Sequence, residues 1–118
     1  MKKTIIICDD DEGILEVVKI VLEEKGYDVI ALSNPEKVLD TIKNSSPHLI
    51  LLDLWMPILN GDLITQTLKS SEETKNIPVI IFSANKDTAE IAKQIGADNY
   101  LTKPFDIDQL EKLVDSYM

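Results

Sequence analysis

Two short segments are almost continuously apolar, and this feature constrains the fold most. Leu49 to Asp53 reads LILLD and Val79 to Ser83 reads VIIFS. A strand with one solvent-facing side alternates apolar and polar residues, whereas a parallel strand covered by helices on both faces is apolar throughout. The two segments therefore predict buried strands in a parallel sheet.

Further segments complete an alternation of strands and helices along the chain. Three more runs rich in Ile, Val and Leu are predicted as strands: Thr4 to Cys8, Asp28 to Ala31 and Asn99 to Thr102. Amphipathic segments fill the intervals, and 118 residues is about the length of one domain. Five strand–helix units in a row predict a single α/β domain over residues 1–118 with a doubly wound sheet.

The helices are predicted from apolar spacing and from their caps. Asn34 suits an N-cap with Pro35 at the first helical position, and Gly26 and Gly96 suit left-handed C-terminal caps. The apolar faces are predicted to consist of Ile14, Val18, Val21 and Leu22; Val38, Leu39 and Ile42; Ile64 and Leu68; Ala92 and Ile95; and Ile107, Leu110, Val114 and Tyr117.

Charge and cysteine content exclude several classes of protein. The net charge is −9, which repels phosphate backbones, so we expect no direct binding to nucleic acid. One cysteine and one histidine exclude an internal disulfide and a Cys/His zinc site, which leaves oxygen ligands for a hard cation such as magnesium or calcium. The first apolar run, Thr4 to Cys8, is too short for a signal peptide or a membrane span, and we expect a cytoplasmic chain without membrane insertion.

Polar residues follow the predicted strands at one edge of the sheet. Asp9 and Asp10 come after the first strand, Asp53 ends the third, Ser83 ends the fourth and Lys103 follows the fifth. Ligands of doubly wound sheets bind beyond the carboxyl ends of the strands. Converging carboxylates repel one another, and Mg²⁺ with oxygen ligands would offset that cost.

A magnesium ion beside a lysine and a serine would make a pocket for a phosphoryl group. Cations neutralise phosphoryl oxygens, and a hydroxyl donates to one of them. An aspartate can attack phosphorus to form an acyl phosphate. Asp53 is the candidate nucleophile.

Four segments together resemble a two-component response-regulator receiver domain of the stand-alone, CheY-like kind. They are the acidic pair Asp9-Asp10, Asp53 before Leu54-Trp55-Met56-Pro57, Ser83-Ala84, and Lys103-Pro104-Phe105. The resemblance covers essentially the whole chain, and the spacing of the segments is also of the kind that family shows. It implies a flavodoxin-like sheet of five parallel strands in the order 2-1-3-4-5, with five helices.

The resemblance also implies a metal site and a phosphoryl donor. Asp53 would accept a phosphoryl group from a histidine kinase or a histidine phosphotransfer protein. Asp10 would ligate Mg²⁺ directly, Asp9 largely through water, and Trp55 through its backbone carbonyl. The chain would catalyse only its own phosphorylation and dephosphorylation, and so would be a switch rather than a turnover enzyme.

Other residues would respond to the phosphoryl group. Ser83 would bind one phosphoryl oxygen, Lys103 would pair with the phosphoryl charge, and Tyr100 would be the aromatic switch, acting on an unknown downstream protein. The resemblance also implies a cis peptide bond before Pro104 and a kinase-docking patch that combines Ile14 with Pro104 and Phe105.

Several alternatives stay open in the sequence. Asp11 is interpreted as a helix-start residue outside the site. Tyr100 could be a core aromatic, and Trp55 an exposed ring that packs on the surface or on a partner. The rival function is a constitutive, receiver-like interaction module that works without phosphorylation.

Overall fold

Five parallel strands form one sheet in the order β2-β1-β3-β4-β5, as the resemblance implied. The computed structural model describes residues 2–54 and 61–118. The strands are β1 Thr4–Cys8, β2 Asp28–Leu32, β3 Leu49–Asp53, β4 Val79–Ser83 and β5 Asn99–Thr102. All five predicted strands are confirmed, and β2 continues one residue further than predicted.

Helices follow the strands and cover both faces of the sheet. They are α1 Glu12–Glu24, α2 Val38–Ser45, α3 Gly61–Ser70, α4 Thr88–Ile95 and α5 Ile107–Tyr117. None of the helices within the described ranges has the length and apolar character that crossing a membrane requires.

The predicted caps are present, with one difference at the second helix. Asn34 accepts a hydrogen bond from the Glu36 amide at 2.9 Å, but the turn that follows, Pro35–Lys37, is a 3₁₀ helix that leads into α2. Such turns are frequent at helix starts. Gly26 and Gly96 have φ of 98° and 85°, a left-handed conformation that glycine adopts without steric cost.

Apolar residues of each strand alternate between two cores. Ile5 and Ile7 of β1 pack on the side of α1 and α5, whereas Ile6 and Cys8 pack on the side of α2, α3 and α4. Every residue of β3 and β4 is buried. These central strands are apolar almost throughout because helices cover both of their faces and keep them from water.

One predicted core position is wrong. Ile107 begins α5 and is 47% exposed, whereas Leu110 and Val114 of the same helix are buried. Helical spacing placed Ile107 on the apolar face, but at the first turn this side chain lines a groove instead of the core.

Candidate functional site

Three aspartates meet at the carboxyl edge of the sheet. Asp9 and Asp10 follow β1, and Asp53 is the last residue of β3, the neighbouring strand. Each offers a carboxylate oxygen, and these oxygens lie within 4.8 Å of one another. Asp9 and Asp53 are buried and Asp10 is exposed. The predicted acidic cluster is therefore present, with one carboxylate at its solvent side.

Lys103 places an ammonium group against the two buried carboxylates. Its Nζ lies 2.9 Å from Asp9 Oδ2 and 3.6 Å from Asp53 Oδ2, and its side chain is 19% exposed. Buried carboxylates are costly unless they are paired and hydrogen-bonded. Lys103 supplies this pairing. The peptide bond from Lys103 to Pro104 is cis, as the resemblance implied.

The turn after β1 holds Asp9 in place and separates Asp11 from the cluster. The Asp11 amide donates to Asp9 Oδ1 at 2.9 Å. The Asp11 carboxylate accepts from the amides of Gly13 and Ile14, at 2.9 and 3.2 Å, and so caps α1. The interpretation of Asp11 as a helix-start residue is confirmed.

Ser83 ends β4 at the same edge of the sheet. Phe82 is the register partner of Asp53, so Ser83 lies one residue beyond that pair. Its side chain is almost fully buried, and its Oγ accepts from the Asn85 amide at 3.0 Å. Its carbonyl accepts from the Lys103 amide at 2.8 Å. This backbone hydrogen bond ties the ends of β4 and β5 together and places Ser83 and Lys103 side by side.

The buried thiol of Cys8 lies next to the cluster, and its pKa responds to burial first and to the nearby carboxylates second. Burial, with the charges of Asp9, Asp53 and Asp10 acting in the same direction, raises the pKa of Cys8 to about 12. A cation that entered this site would meet the carboxylate oxygens that Mg²⁺ prefers.

Two contributors to the site were missed by the sequence reasoning. A Cβ at Gly61 would overlap the Asp53 carbonyl oxygen and lie 3.1 Å from Leu54 Cα, so only glycine fits the start of α3. The Phe82 ring lies beneath Lys103, with Nζ 5.3 Å from the ring centroid. For Phe82, the signal in the sequence was an aromatic residue directly before Ser83.

The predictions for Tyr100 and Trp55 have different outcomes. Tyr100 is 40% exposed on β5, so its interpretation as a core aromatic is wrong. Its role as a switch stays a prediction. Trp55, predicted to offer a backbone carbonyl to the metal, lies outside the described residues.

Comparison with known proteins identifies the family. Residues 5–115 match the response regulator receiver domain. The chain belongs to this family. Receiver domains serve phosphorylation-based signalling in two-component systems, interact with histidine kinases and bind Mg²⁺ at an acidic pocket.

Individual relatives agree with this assignment. The chain is 37% identical over 105 residues to the phosphate regulon transcriptional regulatory protein PhoB of Pseudomonas aeruginosa, covering 87% of this chain and 46% of PhoB. A putative response regulator from Chloroflexus aurantiacus has a TM-score of 0.93 at 25% identity, with 99% of this chain and 98% of that chain covered. Response regulator TrrA of Thermotoga maritima, in complex with Mg²⁺-BeF, has a TM-score of 0.88 at 27% identity, covering 98% and 99%. The chain spans about half the length of the curated relatives it matches.

Proposed function

We propose that this receiver domain is a phosphorylation-dependent switch that accepts a phosphoryl group on Asp53. The observation that carries the proposal is the position of Lys103, whose ammonium lies 2.9 Å from Asp9 and 3.6 Å from Asp53 at the rim of the acidic cluster. A nucleophilic carboxylate thus has beside it the positive charge that an incoming phosphoryl group requires. The solved relative TrrA holds Mg²⁺-BeF, which supports the same chemistry here.

The acidic cluster fits a magnesium ion by its donor chemistry. The carboxylates of Asp9, Asp10 and Asp53 supply hard oxygen donors within 4.8 Å of one another, and two of them are buried. When bound, Mg²⁺ would neutralise carboxylate charge and act as a Lewis acid towards phosphoryl oxygens. Asp10, at the exposed side, leaves the cluster open towards solvent, where water ligands can complete the coordination shell.

Phosphoryl transfer forms one bond and breaks one. An Asp53 carboxylate oxygen donates its electron pair to phosphorus, and the bond from phosphorus to the donor's histidine nitrogen breaks. That electron pair stays on the imidazole ring, which leaves as a neutral group when its other nitrogen carries a proton. Lys103 stabilises the charge on the phosphoryl oxygens during the step. Hydrolysis returns the carboxylate when water attacks phosphorus, so the chain turns over no separate substrate.

Ser83 and Tyr100 would convert the new charge into a change of surface. The Ser83 hydroxyl accepts from the Asn85 amide at 3.0 Å, and its own proton can donate to a phosphoryl oxygen. Movement of Ser83 towards the dianion would open space for Tyr100, which is 40% exposed before the change. Phosphorylation would in this way bias a two-state element and alter contacts with a downstream protein.

An apolar groove beside Lys103 suits the protein that donates the phosphoryl group. The groove has a volume of about 570 Å³, and its lining includes Ile14, Val17, Phe105 and Ile107 together with Lys103. Val17 and Ile107 are each about half exposed. A donor that covers these side chains would bring its phosphohistidine to the same edge of the sheet as Asp53.

Transfer from a phosphorylated histidine phosphotransfer protein tests the proposal. We expect the label to map to Asp53 and to be absent from Asp53→Asn. We expect Val17→Glu to slow transfer from the protein donor at least tenfold, because a buried charge disfavours the complex, while phosphorylation by acetyl phosphate stays within twofold. Leu63→Glu is the matched control, since Leu63 is equally exposed but lies on α3, on the other face of the sheet. Equal labelling of Asp53→Asn would refute Asp53 as the acceptor, and no labelling of the wild type would favour the constitutive interaction module.

A further inference from the structure

We propose that Phe82 is a positioning residue that holds the Lys103 ammonium in the phosphoryl site through a cation–π contact. The proposal rests on the proposed function and deepens it, since it concerns how the site keeps its one lysine in place. Phe82 lies on β4 in register with Asp53 and is fully buried. Lys103 Nζ lies 5.3 Å from its ring centroid, within the range at which an aromatic face attracts a cation.

The ring offers Lys103 a contact that does not compete with a metal ion. The other partners of the ammonium, Asp9 at 2.9 Å and Asp53 at 3.6 Å, belong to the acidic cluster. A cation in that cluster would weaken their attraction for Lys103, whereas the ring face would be unchanged. The ring thus keeps the ammonium in the site when the carboxylates no longer do.

A second ring fixes the orientation of the first. Phe105 packs against Phe82 with ring centroids 5.8 Å apart and an interplanar angle of 62°, an edge-to-face arrangement. Phe105 also lines the groove assigned to the donor protein. Lys103 is largely shielded from water, with 19% of its side chain exposed, and this shielding strengthens the contact with the ring.

Fluorinated phenylalanines test the contact, because each added fluorine weakens the negative face of the ring with little change in volume. Phe82 is replaced by its mono-, di- and trifluoro analogues, and the rate of phosphorylation by acetyl phosphate with Mg²⁺ is measured. We expect the rate to fall stepwise, by about tenfold at trifluorophenylalanine, as expected for loss of a desolvated cation–π contact. Tyr117 is the control aromatic, because its hydroxyl donates to the Asp98 carbonyl before β5, away from the acidic cluster, and fluorination of its ring should leave the rate within twofold.

Proton NMR gives a readout that does not depend on phosphorylation. The Lys103 side-chain protons next to Nζ should show an upfield ring-current shift, and Phe82→Leu should abolish it while the thermal midpoint confirms a folded protein. A flat rate series at position 82, equal falls at both positions, or a missing ring-current shift would overturn the inference. A wild-type chain that shows the ring-current shift but incorporates no phosphoryl group would refute the proposed function alone.

Discussion

Two neighbouring carboxylates, Asp10 and Asp11, differ in what their oxygens contact. Asp10 contributes to the acidic cluster, whereas Asp11 accepts hydrogen bonds from Gly13 and Ile14 at the start of α1. The carboxylate of Asp10 is therefore available to a metal ion, whereas that of Asp11 caps α1.

Substitutions at Asp10 and Asp11 should affect Mg²⁺ binding and stability separately. We expect Asp10→Asn to weaken Mg²⁺ binding at least tenfold with little loss of stability. Asp11→Ala should cost about 1 kcal/mol of unfolding free energy through loss of the cap, with the Mg²⁺ dissociation constant changed by less than threefold at 0.15 M salt. Asp11→Asn is the control, because asparagine keeps the capping oxygen and removes the charge. Calorimetric titration and urea unfolding make the two measurements, and a tenfold loss of Mg²⁺ affinity in Asp11→Asn would place Asp11 in the metal site.

At the scale of elements, the start of α3 lies against the end of β3. Gly61 donates its amide to the Leu54 carbonyl at 3.1 Å, and a Cβ there would overlap the Asp53 carbonyl oxygen. The contact is with backbone, so no side-chain rotation can relieve it.

We therefore expect Gly61→Ala to destabilise the fold by roughly 1–3 kcal/mol, the usual cost of forcing a methyl group into a packed site. The substitution should also slow phosphorylation, because relief of the overlap displaces Asp53. Urea unfolding and phosphorylation by acetyl phosphate test both effects. An alanine variant with wild-type stability would show that α3 can move away from β3 without cost.

The sequence predicted elements better than it predicted close contacts. Strands β3 and β4 were correct to the residue because burial on both faces leaves a continuous apolar signal. The prediction that Ile107 lies in the core was wrong, because helical spacing defines a face of the helix but does not show where the core ends at its first turn. The requirement for glycine at position 61 was not predicted, since the approach of α3 to Asp53 depends on the packing of two elements.

For the site, too, the sequence predicted which residues come together but not the contacts between them. Residues at the ends of parallel strands must share one edge of the sheet, so Asp9, Asp10, Asp53 and Lys103 could be grouped from strand boundaries alone. The direct contact of Lys103 with both buried carboxylates needed coordinates. The position of the Phe82 ring beneath Lys103 also needed coordinates, because strand order and register decide which side chain of β4 meets β5.

At the scale of the whole molecule, an ionic cluster joins α5 to the connection between α1 and β2. Asp115 accepts from the Tyr27 hydroxyl at 2.7 Å and pairs with Lys25 Nζ at 2.8 Å. The hydrogen bonds from Lys25 and Tyr27 lower the pKa of Asp115 below its ordinary value of 3.8. A lowered pKa means that the ionised form stabilises the fold above pH 3.8, and that this stability is lost as the pH falls through the lower, folded-state pKa.

Replacement of Asp115 tests this pH dependence. We expect Asp115→Asn to be less stable than the wild type at pH 7, and the difference between them to shrink as the pH falls below 3.8. Tyr27→Phe, which removes one of the two donors, should show a smaller difference with the same direction. Urea unfolding across pH 2–7 measures both, and a difference that grew towards low pH would contradict the assignment.

Asp53 is proposed to accept a phosphoryl group in a site completed by Mg²⁺. The most direct test is the intact mass of the chain after incubation with acetyl phosphate, with and without Mg²⁺, for the wild type and for Asp53→Asn. We expect one added phosphoryl group in the wild type with Mg²⁺, and none without the ion or without Asp53. No incorporation by the wild type, or equal incorporation by Asp53→Asn, would contradict it.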